Sequence, residues 1–86
     1  MDLQVIGNEL EEIRTKLLGL KASQQESAEM QRYEHVSDLR MEEFELLSKR
    51  LRLRHEVELH LFEMEFKHSW KFSELEKVRL FMEREF

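Results

Sequence analysis

The chain has no cysteine, no proline and only two glycines, Gly7 and Gly19, in 86 residues. Without cysteine there is neither a disulfide framework nor a thiolate zinc site to supplement a small core. Without proline, and with so little glycine, most of the usual punctuation of strands and tight turns is missing. Long apolar runs are missing as well, since no stretch approaches the roughly 18 consecutive apolar residues that a bilayer-spanning helix needs. The opening MDLQVIGNEL has no basic start followed by an apolar run, which argues against a secretory signal. Together with the lack of cysteine this leads us to expect an intracellular, cytoplasmic protein. Charge of one sign is also wanting: 14 Lys and Arg stand against 19 Asp and Glu, interleaved, for a net charge of −5. That balance argues against broad attraction to polyanions.

What fills the chain instead is Glu, Leu, Arg, Lys and Met, all good helix formers. A single chain of this length buries only about 60 to 65 % of its unfolded surface, so its core is marginal unless shared. Self-association is the remaining staple. Leu3, Ile6, Leu10, Ile13, Leu17 and Leu20 recur at intervals of 3, 4, 3, 4 and 3, which puts all six on one stripe of a helix and matches a coiled-coil seam. With Leu at a and Ile at d, a parallel seam favours more than two strands, and a four-helix assembly fits. Asp2 stands at the N-cap position, and Glu12 with Lys16 forms an i, i+4 pair.

Continuing the same register brings Gln24, Ser27, Gln31 and Glu34 onto the seam, so the apolar stripe stops. Ser23-Gln24-Gln25-Glu26 matches a capping box and predicts a restart near Ser23, with Gly19 helping the chain to turn; a continuous rod is the alternative. From residue 28 onward there is no glycine or proline. Within that half, RLRLRHEVELHLFEMEF at residues 50 to 66 alternates apolar and polar side chains as a strand would. As a strand it would run roughly 55 Å at about 3.3 Å per residue, far beyond ordinary strands, and no hairpin turn lies nearby to bring it a partner.

On a helix, the same segment carries two interleaved apolar stripes. Glu42, Glu45, Lys49, Glu56, His60, Glu63, Lys67 and Glu74 fall on one narrow polar stripe. Leu39, Phe44, Leu46, Leu47, Leu51, Leu53, Val57, Leu61, Met64, Phe72 and Leu75 define the expected buried arc, widened by Leu59, Phe62, Phe66 and Trp70. Pairs such as Arg54 with Glu58 and Arg79 with Glu83 have helix-stabilising i, i+4 spacing. His68-Ser69-Trp70-Lys71-Phe72-Ser73 is weakly helical, and Ser73-Glu74-Leu75-Glu76 is a second capping-box match, so a kink near residue 70 is expected. The expected fold is therefore all-α: one domain over 1–86, a coiled-coil-like helical hairpin or bundle with one long C-terminal helix. Its helices are expected at about 3–21, 24–68 and 73–86.

Candidates for chemistry are thin. His55 and His60 are five residues apart, which turns the second ring about 140° around the helix from the first, whereas a zinc-protease helix needs an i, i+4 pair. Glu65-Phe66-Lys67-His68 has the Glu-x-x-His spacing of di-iron bundles, but one copy without partner glutamates is the common accident of a Glu-rich helix. His35 beside Glu34 reads as a surface residue, and no phosphate loop or activated nucleophile is found. No catalysis, cofactor or metal is expected.

The expected function is a non-catalytic protein–protein interaction module: an adaptor, chaperone, scaffold or inhibitory subunit. It would self-associate as a dimer or tetramer through the Leu3 to Leu20 seam and bind another protein. Leu59, Phe62, Phe66 and Trp70 would form either core or a partner groove, since aromatic anchors are typical interface hot spots. The alternative is a small helical regulator that touches nucleic acid through Lys49, Arg50, Arg52 and Arg54, the one basic cluster. Glu42, Glu43, Glu45, Glu56 and Glu58 lie close enough to neutralise it.

Overall fold

The computed structural model describes residues 1–67 and 71–86, and among these the architecture is all-α with no strand. Helix α1 spans Leu3–Glu29, α2 spans Tyr33–Lys67 and α3 spans Phe72–Glu85. Asp2 caps α1 as expected, in extended backbone geometry, its Oδ1 accepting from the amides of Gln4 at 3.0 Å and Val5 at 3.4 Å.

The first helix runs on to Glu29 instead of ending near residue 21. Ser23 and Gly19 both lie inside it, so neither the capping box nor the glycine turns the chain. The reason is local: Ala22, Gln24, Gln25, Glu26, Ala28 and Glu29 all tolerate helix, and leaving it at Ser23 would sacrifice backbone hydrogen bonds that continuation keeps.

The reversal comes at residues 30–32. The Arg32 amide donates to the Ser27 carbonyl at 2.8 Å and the Gln31 amide to the Ala28 carbonyl at 3.1 Å, which is the paired bonding of a Schellman turn. Its left-handed residue is Gln31, at φ 60°, where glycine is the usual occupant. A β-carbon in that region costs about 1 to 2 kcal/mol. The turn is held by what the two helices bury on either side of it.

Helix α2 runs antiparallel to both of the others. Gln24 donates to Glu43 at 2.7 Å near the α1–α2 turn. At the other end, Arg79 of α3 reaches back to Glu65 of α2 at 2.8 Å, while Phe86 lies beside Leu47, Arg50 and Leu51. The expected kink near residue 70 falls on residues 68–70, outside the described residues. The segments on either side of it belong to two helices that run in opposite directions. Helix α3 begins at Phe72, with Lys71 as a cap that makes no side-chain hydrogen bond, so Ser73 sits within the first turn and is not the N-cap.

The core lies where all three helices overlap. Ile6, Leu10 and Ile13 of α1 meet Leu53, Val57 and Met64 of α2 and Val78 and Phe81 of α3, with Val57 fully buried at the centre. Near the reversal only α1 and α2 are present, and Ser27, Val36 and Leu39 are buried between them. The molecule measures 57 × 17 × 15 Å. With helices about 10 Å across, that width leaves every helix one face on solvent.

Two substitutions check this account. Gly19 is exposed and a β-carbon there meets nothing within 4 Å, so Gly19→Ala should raise stability by up to about 1 kcal/mol. Gln31→Gly should raise it by about 1 kcal/mol by relieving the left-handed strain. Urea denaturation followed by circular dichroism measures both, and a loss of stability in Gln31→Gly would contradict the turn.

Candidate interaction surface on helix α2

The alternating segment resolves into two stripes on opposite sides of α2, because residues two apart on a helix point about 200° apart. The inner stripe carries Leu53, Val57 and Met64, all buried. The outer stripe carries Met41, Phe44, Leu51, Leu59, Phe62 and Phe66, each between 50 % and 73 % exposed. Phe62 and Phe66 stack on each other at the surface, with ring centroids 6.0 Å apart and planes 19° apart.

The placement corrects the expected buried arc. Phe44, Leu47, Leu51 and Phe72 were expected inside and are exposed, while Leu39, Leu53, Val57 and Met64 are buried and Leu46, Leu61 and Leu75 pack partly covered against the core. Leu59, Phe62 and Phe66 belong to the surface of this chain and not to its core; Trp70 lies outside the described residues. Met41 was not singled out from sequence, although its 3-residue step to Phe44 was visible there.

The α1 stripe is corrected too. Ile6, Leu10 and Ile13 are buried, and Leu3 and Leu17 pack partly covered against the same core. Leu20 is half-buried beside Ser23, Leu46 and Lys49. The heptad spacing is real, and α2 and α3 of the same chain pack against most of it. Gly7 lies at the α1–α3 contact, where a β-carbon would meet the Phe81 ring at an ordinary 3.6 Å, so the approach of the two helices does not require glycine.

Lys49, Arg50, Arg52 and Arg54 are all exposed, but they do not converge. Lys49 and Arg52 line an open groove of about 710 Å³ with Lys16, Glu42 and Glu45. Arg50 and Arg54 border a different one, beside Phe86, and Arg52 and Arg54 share a third with Glu56 and Glu58. Arg54 also pairs with Glu58 at 2.9 Å. Such half-exposed pairs contribute only tenths of a kcal/mol, yet they tie up the charge locally.

The ion pairs between helices orient α3. Arg14 of α1 bonds Glu11 at 2.6 Å and reaches Glu85 at 3.5 Å. Arg79 turns to Glu65 across the helix interface, and that hydrogen bond together with the neighbouring carboxylates raises its pKa above the ordinary guanidinium value. Among the described residues no three His, Cys, Asp or Glu side chains converge to hold a metal ion, and His68 of the Glu-x-x-His match lies outside them. No helix among them is long and apolar enough to cross a membrane.

The fold and this surface define a class: an antiparallel three-helix bundle with an uncovered apolar face on its longest helix. Comparison with family models, curated proteins and solved structures returns no match, so function is read from the geometry.

Leu10→Asp discriminates between the two roles of the α1 stripe. A carboxylate at a position only 3 % exposed should cost several kcal/mol and abolish cooperative melting and most of the helical signal. A folded variant that merely lost mass would return the stripe to an association role.

Proposed function

We propose that the chain is a non-catalytic protein-interaction module, of the adaptor, chaperone, scaffold or inhibitory-subunit kind, that works through the outer stripe of α2. The observation that carries this reading is the exposure of Met41, Phe44, Leu51, Leu59, Phe62 and Phe66 along one line of one helix. At 1.5 Å per residue that line is about 37 Å long. Contiguous apolar patches on monomers seldom exceed a few hundred Å², and larger ones mark binding surfaces. Aromatic and Met side chains are also those enriched where interfaces bury their centres.

A rigid helical face of this length suits another helix, whose apolar side chains recur with the same period. Open grooves border α2 on its Glu42, Glu45 and Arg52 side and around Leu51 and His55.

A photo-reactive residue in place of Leu59 should give covalent adducts with polypeptides in cell extract. The same residue in place of Glu26, exposed on α1, should give few. Equal yields at the two positions would remove the reading. The nucleic-acid alternative rests on the exposure of Lys49, Arg50, Arg52 and Arg54. It requires DNA or RNA binding that weakens steeply with salt and disappears when the four become Ala. The interaction-module reading expects no mobility shift even at low salt.

A further inference from the structure

The next question, which rests on the reading just given, is what covers the outer stripe. We infer that its occupant is a second copy of this chain, with the two α2 helices antiparallel across a two-fold axis close to Leu53.

The first ground is spacing. With Ser48 and His55 filling the gaps, the stripe from Met41 to Phe66 advances in steps of 3, 4, 3, 4, 4, 3 and 4 residues. That is a coiled-coil seam with one four-residue insertion, a local change of winding that a helix pair accommodates.

The second ground is that the seam nearly matches its own reversal. An isologous contact requires that if residue i meets j, then j meets i. Turned end for end about a point near Leu53, Met41 comes opposite Phe66 of the second copy and Phe44 opposite its Phe62. Ser48 then meets Leu59, and Leu51 meets His55. Each large side chain near the ends meets another, and the smallest residue of the seam faces a leucine.

Charge selects the antiparallel direction. Acids flank the C-terminal half of the stripe on both sides, Glu56 and Glu63 on one and Glu58 and Glu65 on the other, the last two already paired with Arg54 and Arg79. The N-terminal half carries Arg40 and Arg52 with Asp38 and Glu45. Parallel copies would set the acidic ends against each other, and like charges across a seam are destabilising. Antiparallel copies separate the acidic ends and bring Arg52 of each level with Glu56 of the other, with Glu45 level with Glu63 on the same edge.

Area is the remaining ground. Six side chains exposed by 50 to 73 % leave on the order of 700 Å² of apolar stripe, taking roughly 200 Å² for each whole residue. A stable interface buries about 800 Å² per partner, which this stripe and its flanks reach. Helix α1 and most of α3 lie against the inner stripe and the Glu65 edge of α2, and the chain approaches the seam only at the end of α3, where Phe86 lies beside Leu47 and Leu51.

Light scattering should report the mass of two chains at micromolar concentration. Phe44→Glu with Phe62→Glu should give the mass of one chain while the helical circular dichroism signal is retained. Because the chain has no cysteine of its own, direction can be read by oxidation. Chains carrying Phe44→Cys should link to chains carrying Phe62→Cys, whereas neither should link to itself, positions 44 of the two copies being about 27 Å apart. Self-linking of each variant would overturn the antiparallel arrangement, and a single-chain mass up to 100 µM would overturn the dimer. If the mass stays single while the probe at Leu59 still captures other polypeptides, the dimer falls and the interaction module stands; if the probe captures nothing either, both fall.

Discussion

An alternating sequence wound into a helix puts grease on opposite sides of it, and a chain of 86 residues has only enough remaining helix to cover one side. The rest of the structure follows from that constraint. Helices α1 and α3 share the inner stripe of α2 around Val57, and burial of each such side chain contributes about 1.5 to 3 kcal/mol. Once both are committed there, Phe44, Leu51, Phe62 and Phe66 are left more than 60 % exposed among the described residues. The uncovered face comes from the arithmetic of helices, not from loose packing.

The position of the first reversal governs how that covering is shared. Running α1 to Glu29 pairs the whole of it with α2 and leaves α3 only the far end to cover. The reversal uses Gln31 in a left-handed conformation, so the local chemistry is suboptimal and the helices on either side impose it. A two-helix arm and a three-helix head result, with Ser27, Val36 and Leu39 at the closed end of the arm. Charged contacts play a lesser part. Arg79 with Glu65 is a half-exposed pair and Arg14 with the partly covered Glu85 a longer one, and both set the direction of α3 more than its stability.

Much was legible in the residues themselves. The lack of glycine and proline, the Asp2 cap, the 3 and 4 spacing from Leu3 to Leu20, and the reading of residues 50 to 66 as two helical stripes all follow from properties of one helix at a time. The capping boxes at Ser23 and Ser73 misled because a Ser-x-x-Glu match is also compatible with helix interior or first turn. The buried arc was drawn too wide because Phe44 and Leu51 are as hydrophobic as Leu53 and Val57, and hydrophobicity carries no sign for inside or outside.

The sequence by itself determined that the chain would be helical and that its helices would carry apolar stripes, since periodicity is a local property of the backbone. Only the tertiary structure decided which stripe is covered, where α1 ends, and that the Leu3 to Leu20 seam is satisfied within the chain. Those outcomes depend on which helix reaches which face after the chain reverses. A reversal held by the burial it makes possible leaves no mark in the three residues that form it.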